Sequence, residues 1–459
     1  MLRSTLLAFG VLACGLLVSG LLVSGVQAAD KPNIVIFYGD DLGWGELGCQ
    51  GSKDIPTPNI DSLAKNGVRF AQGYVAATYC SPSRAGLMTG KYPTRFGHEF
   101  NSVASKTTGL SLKETTLADR LKGLGYSTIC IGKWHLGAGP DHRPTKRGFD
   151  EFYGTLGNTP YYHPTQFVDS RVSNEVQKIE DKDFYTTDAY ADRAVAWLEE
   201  HKAEAKFLYL PFNAQHGPLQ APQKYLDRFA SIENKQRRMF AAILSGMDDA
   251  VGRVITKVRD LGQEDNTIFF YIADNGGPTK STTSGNGGLR GYKTNTYEGG
   301  PRVPFLMQWK GKIPAGKAYE SPVMNLDVLP TVLTAAGGTV EADWKLDGVN
   351  LLPHLTGTNT ARPHETLYWR FSPQWAVRHG DLKLVHSVGG SGKPELYDLS
   401  KDAGESKDLA AQMPDKVKEL QALYDAWSAQ QMDAASPKEK PAKAGADAGK
   451  KKKKKAAAN

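Results

Sequence analysis

The chain has 459 residues, of which 40% are hydrophobic and 23% are charged, and this composition excludes a fibrous or wholly disordered protein. The formal net charge is +7, but nine lysines and two acidic residues between positions 438 and 455 account for all of it. Because the rest of the chain is neutral and the Lys/Ala-rich tail cannot bury a core, we expect a disordered tail and no nucleic-acid partner.

The N-terminus has the pattern of an export signal. Arg3 precedes an apolar stretch over residues 6–26, and residues 26–28 offer a small-residue cleavage site. We therefore predict a signal peptide over 1–28 and a periplasmic or secreted protein, with no stable membrane insertion after cleavage. If the stretch is retained, it is long enough to span a bilayer, and Cys14 lies in a weak lipoprotein box.

Strands and helices alternate through the body of the chain. The apolar run Asn33–Tyr38 predicts a buried strand, and the following patterns predict helices over 57–67 and 117–123 and strands over 126–131, 207–212 and 267–273. Such alternation is typical of an α/β fold with a large, mostly parallel sheet that helices cover on both faces. Residues 161–183 show no clear periodicity and are predicted to form a surface loop.

The pattern changes after Arg362. Residues 374–378, 382–386 and 395–397 predict a short antiparallel sheet, and residues 416–430 predict a helix that packs on it. The predicted domains are a catalytic α/β domain, a smaller C-terminal α+β subdomain and a tail, over residues 29–362, 363–432 and 433–459.

Metal-competent and ionisable residues follow the predicted strands. Asp40 and Asp41 follow the first strand, and Asp274 and Asn275 follow the last one in the α/β domain. In open α/β sheets, ligands bind beyond the carboxyl ends of the strands. Four oxygen donors without a nitrogen or sulfur ligand suit calcium, with magnesium as the second choice.

A cysteine motif is the most specific signal in the chain. Cys80-Ser81-Pro82-Ser83-Arg84 opens a predicted helix, so position 80 would lie at a helix N-terminus, where free N–H groups stabilise negative charge. The mature chain would keep three cysteines, and an odd number in an exported protein requires an explanation. Cys49 and Cys130 could form a disulfide or remain two buried thiols.

The stretch from Cys80 to Lys91 resembles the C-x-P-S-R…T-G-K signature of the type I sulfatases, in the alkaline-phosphatase superfamily. The resemblance implies that a formylglycine-generating enzyme oxidises Cys80 to formylglycine, which is hydrated to form the nucleophile. It also implies a metal held by the two acidic pairs together with Cys80, and an active site that is completed by Arg84, Lys133, His135, His216 and Lys293. In the family, the two lysines bind sulfate, and His135 and His216 transfer protons. Tyr292 stands where the family often has glycine, so the loop of Lys293 could be reshaped.

These observations predict an exported sulfatase that acts on a sulfated carbohydrate or an aryl sulfate. Residues 94–100 resemble polysaccharide-degrading members of the family. One alternative is a phosphodiesterase or phosphonate monoester hydrolase on the same framework, and another is a binding protein that is never modified. Trp369 and Trp375 could be core residues or a sugar platform.

Overall fold

The computed structural model describes residues 31–101 and 108–434, which form sixteen strands and ten α-helices. The strands are β1 (Asn33–Gly39), β2 (Val68–Phe70), β3 (Gly73–Tyr74), β4 (Ser127–Lys133), β5 (Glu151–Thr155), β6 (Phe167–Asp169), β7 (Ser173–Gln177), β8 (Lys206–Pro211), β9 (Thr267–Ala273), β10 (Phe305–Gln308), β11 (Lys317–Tyr319), β12 (Val323–Met324), β13 (Thr366–Phe371), β14 (Gln374–His379), β15 (Leu382–His386) and β16 (Glu395–Asp398). The helices are α1 (Pro58–Lys65), α2 (Cys80–Thr89), α3 (Leu117–Gly123), α4 (Thr186–Glu200), α5 (Gln223–Leu226), α6 (Lys235–Asp260), α7 (Thr279–Thr282), α8 (Val328–Ala335), α9 (Leu352–Leu355) and α10 (Pro414–Ser428).

A ten-stranded sheet with the order β11-β2-β10-β9-β1-β8-β4-β5-β6-β7 forms the centre of the protein. Strands β9, β1, β8, β4 and β5 run parallel to one another, and every residue of β1, β8 and β9 is buried. Continuous apolar strands of this kind need cover on both faces. Helices α1, α4 and α6 pack together as one layer, and α2, α3 and α8 form a second group.

The predicted fold class is confirmed, and the sheet is mixed towards its two ends. Strand β10 runs antiparallel to β9, and β6 and β7 form an antiparallel hairpin beside β5. The prediction of a loop over 161–183 is therefore wrong for Phe167–Gln177. The middle residues of β7 are exposed, so this edge strand lacks the burial pattern that would have identified it.

The predicted C-terminal antiparallel sheet has four strands in the order β13-β14-β15-β16, one more than the sequence indicated. Its core is shared with the larger domain, because Trp369 and Leu384 belong to the same buried cluster as Tyr74, Tyr92 and Met324. Trp369 is thus a core residue, and Trp375 is partly buried against Tyr424. The small sheet therefore packs directly on the larger domain through a shared core.

Three further predictions concern the signal peptide, the C-terminal tail and the pairing of Cys49 with Cys130. The predicted signal peptide over 1–28, with Cys14, lies outside the described residues, and so does most of the predicted tail over 433–459. Cys49, Cys80 and Cys130 are free thiols, which excludes a disulfide between the first and the last. Within the described residues, none of the helices has the length and apolar character needed to cross a bilayer.

Candidate active site

The carboxyl ends of neighbouring parallel strands bring the predicted site residues to one edge of the sheet. Asp40 and Asp41 follow β1, Asp274 and Asn275 follow β9, and Lys133 ends β4. Backbone hydrogen bonds continue beyond the strands: the N–H of Asp274 donates to the carbonyl of Gly39 at 2.9 Å. The two acidic pairs, more than 230 residues apart in sequence, are thereby held in direct contact.

Asp40, Asp41, Asp274 and Cys80 form a buried cluster of possible metal ligands. One ligand atom from each lies within 4.8 Å of the others. Oδ1 of Asp40 and Oδ1 of Asn275 are buried and accept no hydrogen bond from the described residues. Unsatisfied buried oxygens are costly, and a hard cation would satisfy them. The donor set therefore fits a hard divalent cation, of which calcium is the one that the sequence predicts.

The electrostatics of the cluster also favour a cation. Burial and the nearby charge of Asp40 raise the pKa of Asp274 to about 7. Asp41 behaves differently: although burial acts in the opposite direction, the charge of Lys293 holds the pKa of Asp41 well below its usual range. Three carboxylates at this distance repel one another, and a divalent ion would remove that repulsion.

Cys80 is the first residue of α2, as the sequence predicts. Tyr79 occupies the N-cap position in an extended conformation, so residue 80 lies beside the free N–H groups of the first turn. Burial raises the pKa of the Cys80 thiol to about 12. An unmodified Cys80 would therefore stay protonated near neutral pH and would be a poor nucleophile.

Arg84 lies one turn along α2 and organises the cluster. Its Nε and Nη2 donate to Oδ2 of Asp274 at 3.2 and 2.8 Å, and its Nη1 donates to the carbonyl of Lys133 at 2.9 Å. The guanidinium also packs over the ring of Tyr38, 5.3 Å from its centroid. Arg84 thus orients a metal ligand and ties the end of β4 to α2, a role that its sequence position did not specify.

The two predicted sulfate-binding lysines pair with the acidic residues. Nζ of Lys133 lies 2.5 Å from Asp40, and Nζ of Lys293 lies 2.6 Å from Asp41. With Arg84, they place three cations against three carboxylates in a site that is almost closed to water. When Asp274 is ionised, the charges of these six side chains therefore balance without any ion or substrate.

His135 and His216 both face this charged centre and are both kept neutral near pH 7. Burial, followed by the charges of Lys133 and Arg84, holds the pKa of His135 well below its usual range. Burial lowers the pKa of His216 to about 4, although Asp41 acts in the opposite direction. Nδ1 of His216 lies 2.6 Å from the carbonyl of Gly217, which leaves Nε2 facing Asp41 at 3.9 Å.

Two site residues have left-handed backbone conformations. Asp41 and His135 each have φ near 61°, which is uncommon for residues other than glycine. The N–H of Asp41 donates to Oδ1 of Asp274 at 3.1 Å, so a site contact holds this conformation. Such conformations cluster at functional sites, where surrounding contacts over-determine them.

The mouth of the site is marked by a gradient of exposure. The side chains of Asp40, Arg84 and Lys133 are fully buried, whereas those of Lys293 and His216 are 11% and 22% exposed. A substrate would therefore enter past Lys293 and His216. Its charged end would point towards the buried residues, and its organic part would remain at the opening.

The sequence did not predict the residues that hold the first turn of α2, which contains Cys80 and Ser81. Oγ of Ser81 donates to the carbonyl of His135 at 2.6 Å and contacts Nε2 of His98 at 2.7 Å, while its N–H donates to Oδ1 of Asn101 at 3.0 Å. These contacts join the start of α2 to His135. His98 belongs to the segment 94–100, which resembles polysaccharide-degrading members of the family, but no local sequence pattern predicts its contact with Ser81.

The loop of Lys293 is held from the C-terminal sheet, which the sequence also did not reveal. Thr294 has φ of 75°, an outlying conformation for a β-branched residue. Its N–H donates to the carbonyl of Thr78 at 2.9 Å, and its carbonyl accepts from Nε2 of Gln374 at 2.7 Å. Oε1 of Gln374 in turn accepts from Nδ2 of Asn295 at 3.3 Å. Gln374 therefore fixes the backbone next to Lys293.

Comparison with known proteins gives consistent matches. The Sulfatase family profile matches residues 32–338, and the profile of the C-terminal part of N-sulphoglucosamine sulphohydrolase matches residues 291–430. Arylsulfatase A of Homo sapiens is 34% identical over 457 residues, covering 87% of each chain. N-acetylgalactosamine-6-sulfatase of Sus scrofa is 33% identical over 382 residues, covering 78% of this chain and 72% of that protein. The crystal structure of Ps i-CgsB in complex with k-i-k-neocarrahexaose is 34% identical with a TM-score of 0.81, covering 88% of this chain and 94% of that chain.

Proposed function

The chain belongs to the sulfatase family of the alkaline-phosphatase superfamily and is a sulfuric ester hydrolase, and from this we propose that it is an exported, calcium-dependent enzyme that removes sulfate from a carbohydrate. In this proposal, a formylglycine-generating enzyme converts Cys80 to formylglycine. Asp40, Asp41, Asp274 and Asn275 hold calcium together with residue 80. The observation that carries the proposal is the placement of Cys80 at a helix N-terminus, within a buried cluster of carboxylates.

Two groups outside the encoded side chains would supply part of the chemistry. Hydrated formylglycine would offer one hydroxyl for attack on sulfur and a second hydroxyl whose loss of a proton allows sulfate to leave. Calcium would neutralise negative charge on the sulfuryl oxygens. The buried Oδ1 atoms of Asp40 and Asn275 support the metal assignment, because they accept no hydrogen bond from the described residues.

The encoded residues bind sulfate and move protons. Lys133 and Lys293, which pair with Asp40 and Asp41, would bind sulfuryl oxygens, and Arg84, through its hydrogen bond to Asp274, would orient that carboxylate as a metal ligand. Neutral His135 is able to accept a proton as sulfate leaves, because its depressed pKa keeps it unprotonated. His216 lies at the mouth, where the leaving oxygen would be.

His216 needs a proton to act as the general acid, and the substrate itself would favour one. In the free enzyme, burial and the two lysines keep the pKa of His216 at about 4. A bound sulfate ester brings negative charge beside the imidazole and offsets the lysines, which raises that pKa. Proton donation would therefore be linked to substrate binding.

The carbohydrate assignment rests on the relatives and on the shape of the site. One matched structure contains a bound neocarrahexaose, and one matched protein is named for N-acetylgalactosamine 6-sulfate chemistry. The opening beside Lys293 and His216 leaves the organic part of a substrate near solvent, which suits a large sugar. The apolar stretch over 6–26 supports export.

Two measurements test the proposal. Mass spectrometry of the Cys80 peptide, from protein made in its native host, should show an aldehyde in place of the thiol. Parallel kinetics with a sulfate ester and a phosphate diester of one chromogenic alcohol should favour the sulfate ester. An unmodified thiol would end the formylglycine mechanism, and faster diester hydrolysis would identify a phosphodiesterase instead.

A further inference from the structure

We propose that Tyr79 and Phe371 form an aromatic wall at the mouth of the active site, against which a pyranose ring of the substrate packs. The inference rests on the proposed function and assigns its alcohol side. Tyr79 comes from the residue before Cys80, whereas Phe371 comes from the end of β13 in the C-terminal sheet. The wall would therefore be built from both parts of the protein.

Tyr79 lies where the organic part of a substrate would leave the buried centre. Nζ of Lys293 is 5.4 Å from the centroid of its ring, and the same Nζ contacts Asp41 at 2.6 Å. The Tyr79 side chain is only partly buried, whereas Cys80 beside it is fully buried. The ring is thus next to the sulfate site and on its solvent side.

Phe371 extends the aromatic surface away from the mouth. Its ring packs edge to face with that of Tyr79, with centroids 5.5 Å apart. The ring of Phe100 also packs edge to face with that of Phe371, with centroids 5.2 Å apart. Phe371 is partly exposed, whereas Phe100 is buried. The pair is therefore packed against a buried ring on one side and keeps part of its surface exposed to solvent, in the edge-to-face geometry that stabilises aromatic pairs.

The turn that carries Phe371 is fixed on both sides. Oε1 of Glu99 accepts from the N–H of Ser372 at 2.7 Å, and Oε2 of Glu99 accepts from Nε of Arg370 at 3.0 Å. On the other side, Gln374 donates to the carbonyl of Thr294, next to Lys293. The aromatic wall and the sulfate-binding lysine thus share one rigid support, as a recognition site requires.

The chemistry of this surface selects a sugar ring. A pyranose presents an apolar C–H face that packs on aromatic rings and hydroxyl groups that stay in water, and binding sites commonly join an apolar surface to a few polar groups. Lys293 supplies the charged group beside the wall. A small aryl group beside Tyr79 need not reach Phe371, whose ring centroid lies 5.5 Å from that of Tyr79. Phe371 should therefore contribute mainly to the binding of oligosaccharides.

Phe371→Ala tests the proposal with two substrates. We expect the KM for a sulfated oligosaccharide to rise about ten-fold, with kcat little changed, and kcat/KM for a small aryl sulfate to stay within about two-fold of wild type. Phe371→Tyr keeps the ring and should restore oligosaccharide binding. The panel would contain sulfated galactan and glycosaminoglycan oligosaccharides.

Tyr368→Ala is the matched control. Tyr368 is a partly buried aromatic residue on the same strand, and its ring packs on Tyr92 and stacks on Trp427, with 4.9 Å between the centroids of the stacked pair. An equal loss in both variants, or no change in Phe371→Ala, would overturn the wall. So would a wild-type enzyme that hydrolyses the aryl sulfate but no oligosaccharide of the panel. Failure to hydrolyse any sulfate ester would instead overturn the proposed function.

Discussion

Calcium binding should release a proton and should weaken in acid. In the metal-free site, burial and the charge of Asp40 raise the pKa of Asp274 to about 7. Calcium needs the ionised carboxylate, so protons and calcium compete for Asp274. His135 and His216 are neutral across this range because their pKa values are depressed, and they do not contribute. The calcium affinity should therefore rise with pH up to about 7 and then level off.

The expected magnitude follows from the pKa of Asp274. With a value of about 7, the affinity at pH 5 should be about 100-fold lower than at pH 8, or about 2.7 kcal/mol. Calorimetry on the Cys80→Ala variant, in buffers with different ionisation enthalpies, should detect about one proton released per calcium at pH 6 and almost none above pH 8. The variant removes any contribution from residue 80.

Asp274→Asn provides the control, because it keeps the size of the side chain and cannot release the proton. Calcium should bind it more weakly and without the pH dependence. If the parent variant bound calcium equally well at pH 5 and pH 8, the acidic cluster would not be the metal site that its geometry indicates. Tight binding with no proton release at pH 6 would refute the raised pKa of Asp274.

Three further results are expected. Arg84→Lys keeps the charge but loses the paired hydrogen bonds to Asp274 and the bond to the Lys133 carbonyl, so kcat should fall by at least about ten-fold, and equal kcat would contradict its orienting role. Gln374→Ala should raise the KM for small sulfate esters several-fold, because it frees the loop of Lys293. Gln374→Glu keeps the size of the side chain but also loses the donor to the Thr294 carbonyl, so it should raise the KM in the same way. Deletion of residues 438–459 should leave turnover of a small aryl sulfate unchanged, and a large loss would show that the tail has a role in catalysis.

The strand ends could be predicted because buried parallel strands have continuous apolar sequences. Asn33–Gly39 and Thr267–Ala273 are of this kind, and the polar residues that follow them must meet at one edge. Strand β13 was missed although Leu367, Trp369 and Phe371 alternate with polar residues and Tyr368, which is a signal for a strand. The sequence pattern was therefore sufficient to predict β13.

Other features had no local signal. The contact between Gln374 and Thr294 joins residues 80 positions apart, and the left-handed φ of Thr294 contradicts what a β-branched residue prefers. The pairing of Lys293 with Asp41 spans 252 positions. Such contacts depend on how the C-terminal sheet docks, which neither periodicity nor composition specifies.

Room for the organic groups, rather than charge, is what we expect to distinguish a sulfate monoester from a phosphate diester at this site. A sulfate monoester and a phosphate diester each carry one negative charge, so the balanced set of three cations and three carboxylates, with calcium added, does not distinguish them. The diester has a second organic group, which needs additional room beside the phosphoryl group. Lys133 and Arg84, on the inner side, have fully buried side chains, whereas Lys293 and His216 at the mouth are partly exposed. We expect one organic group to lie at the mouth, and a second group directed inwards would have to displace the buried ion pairs, at a cost of several kcal/mol.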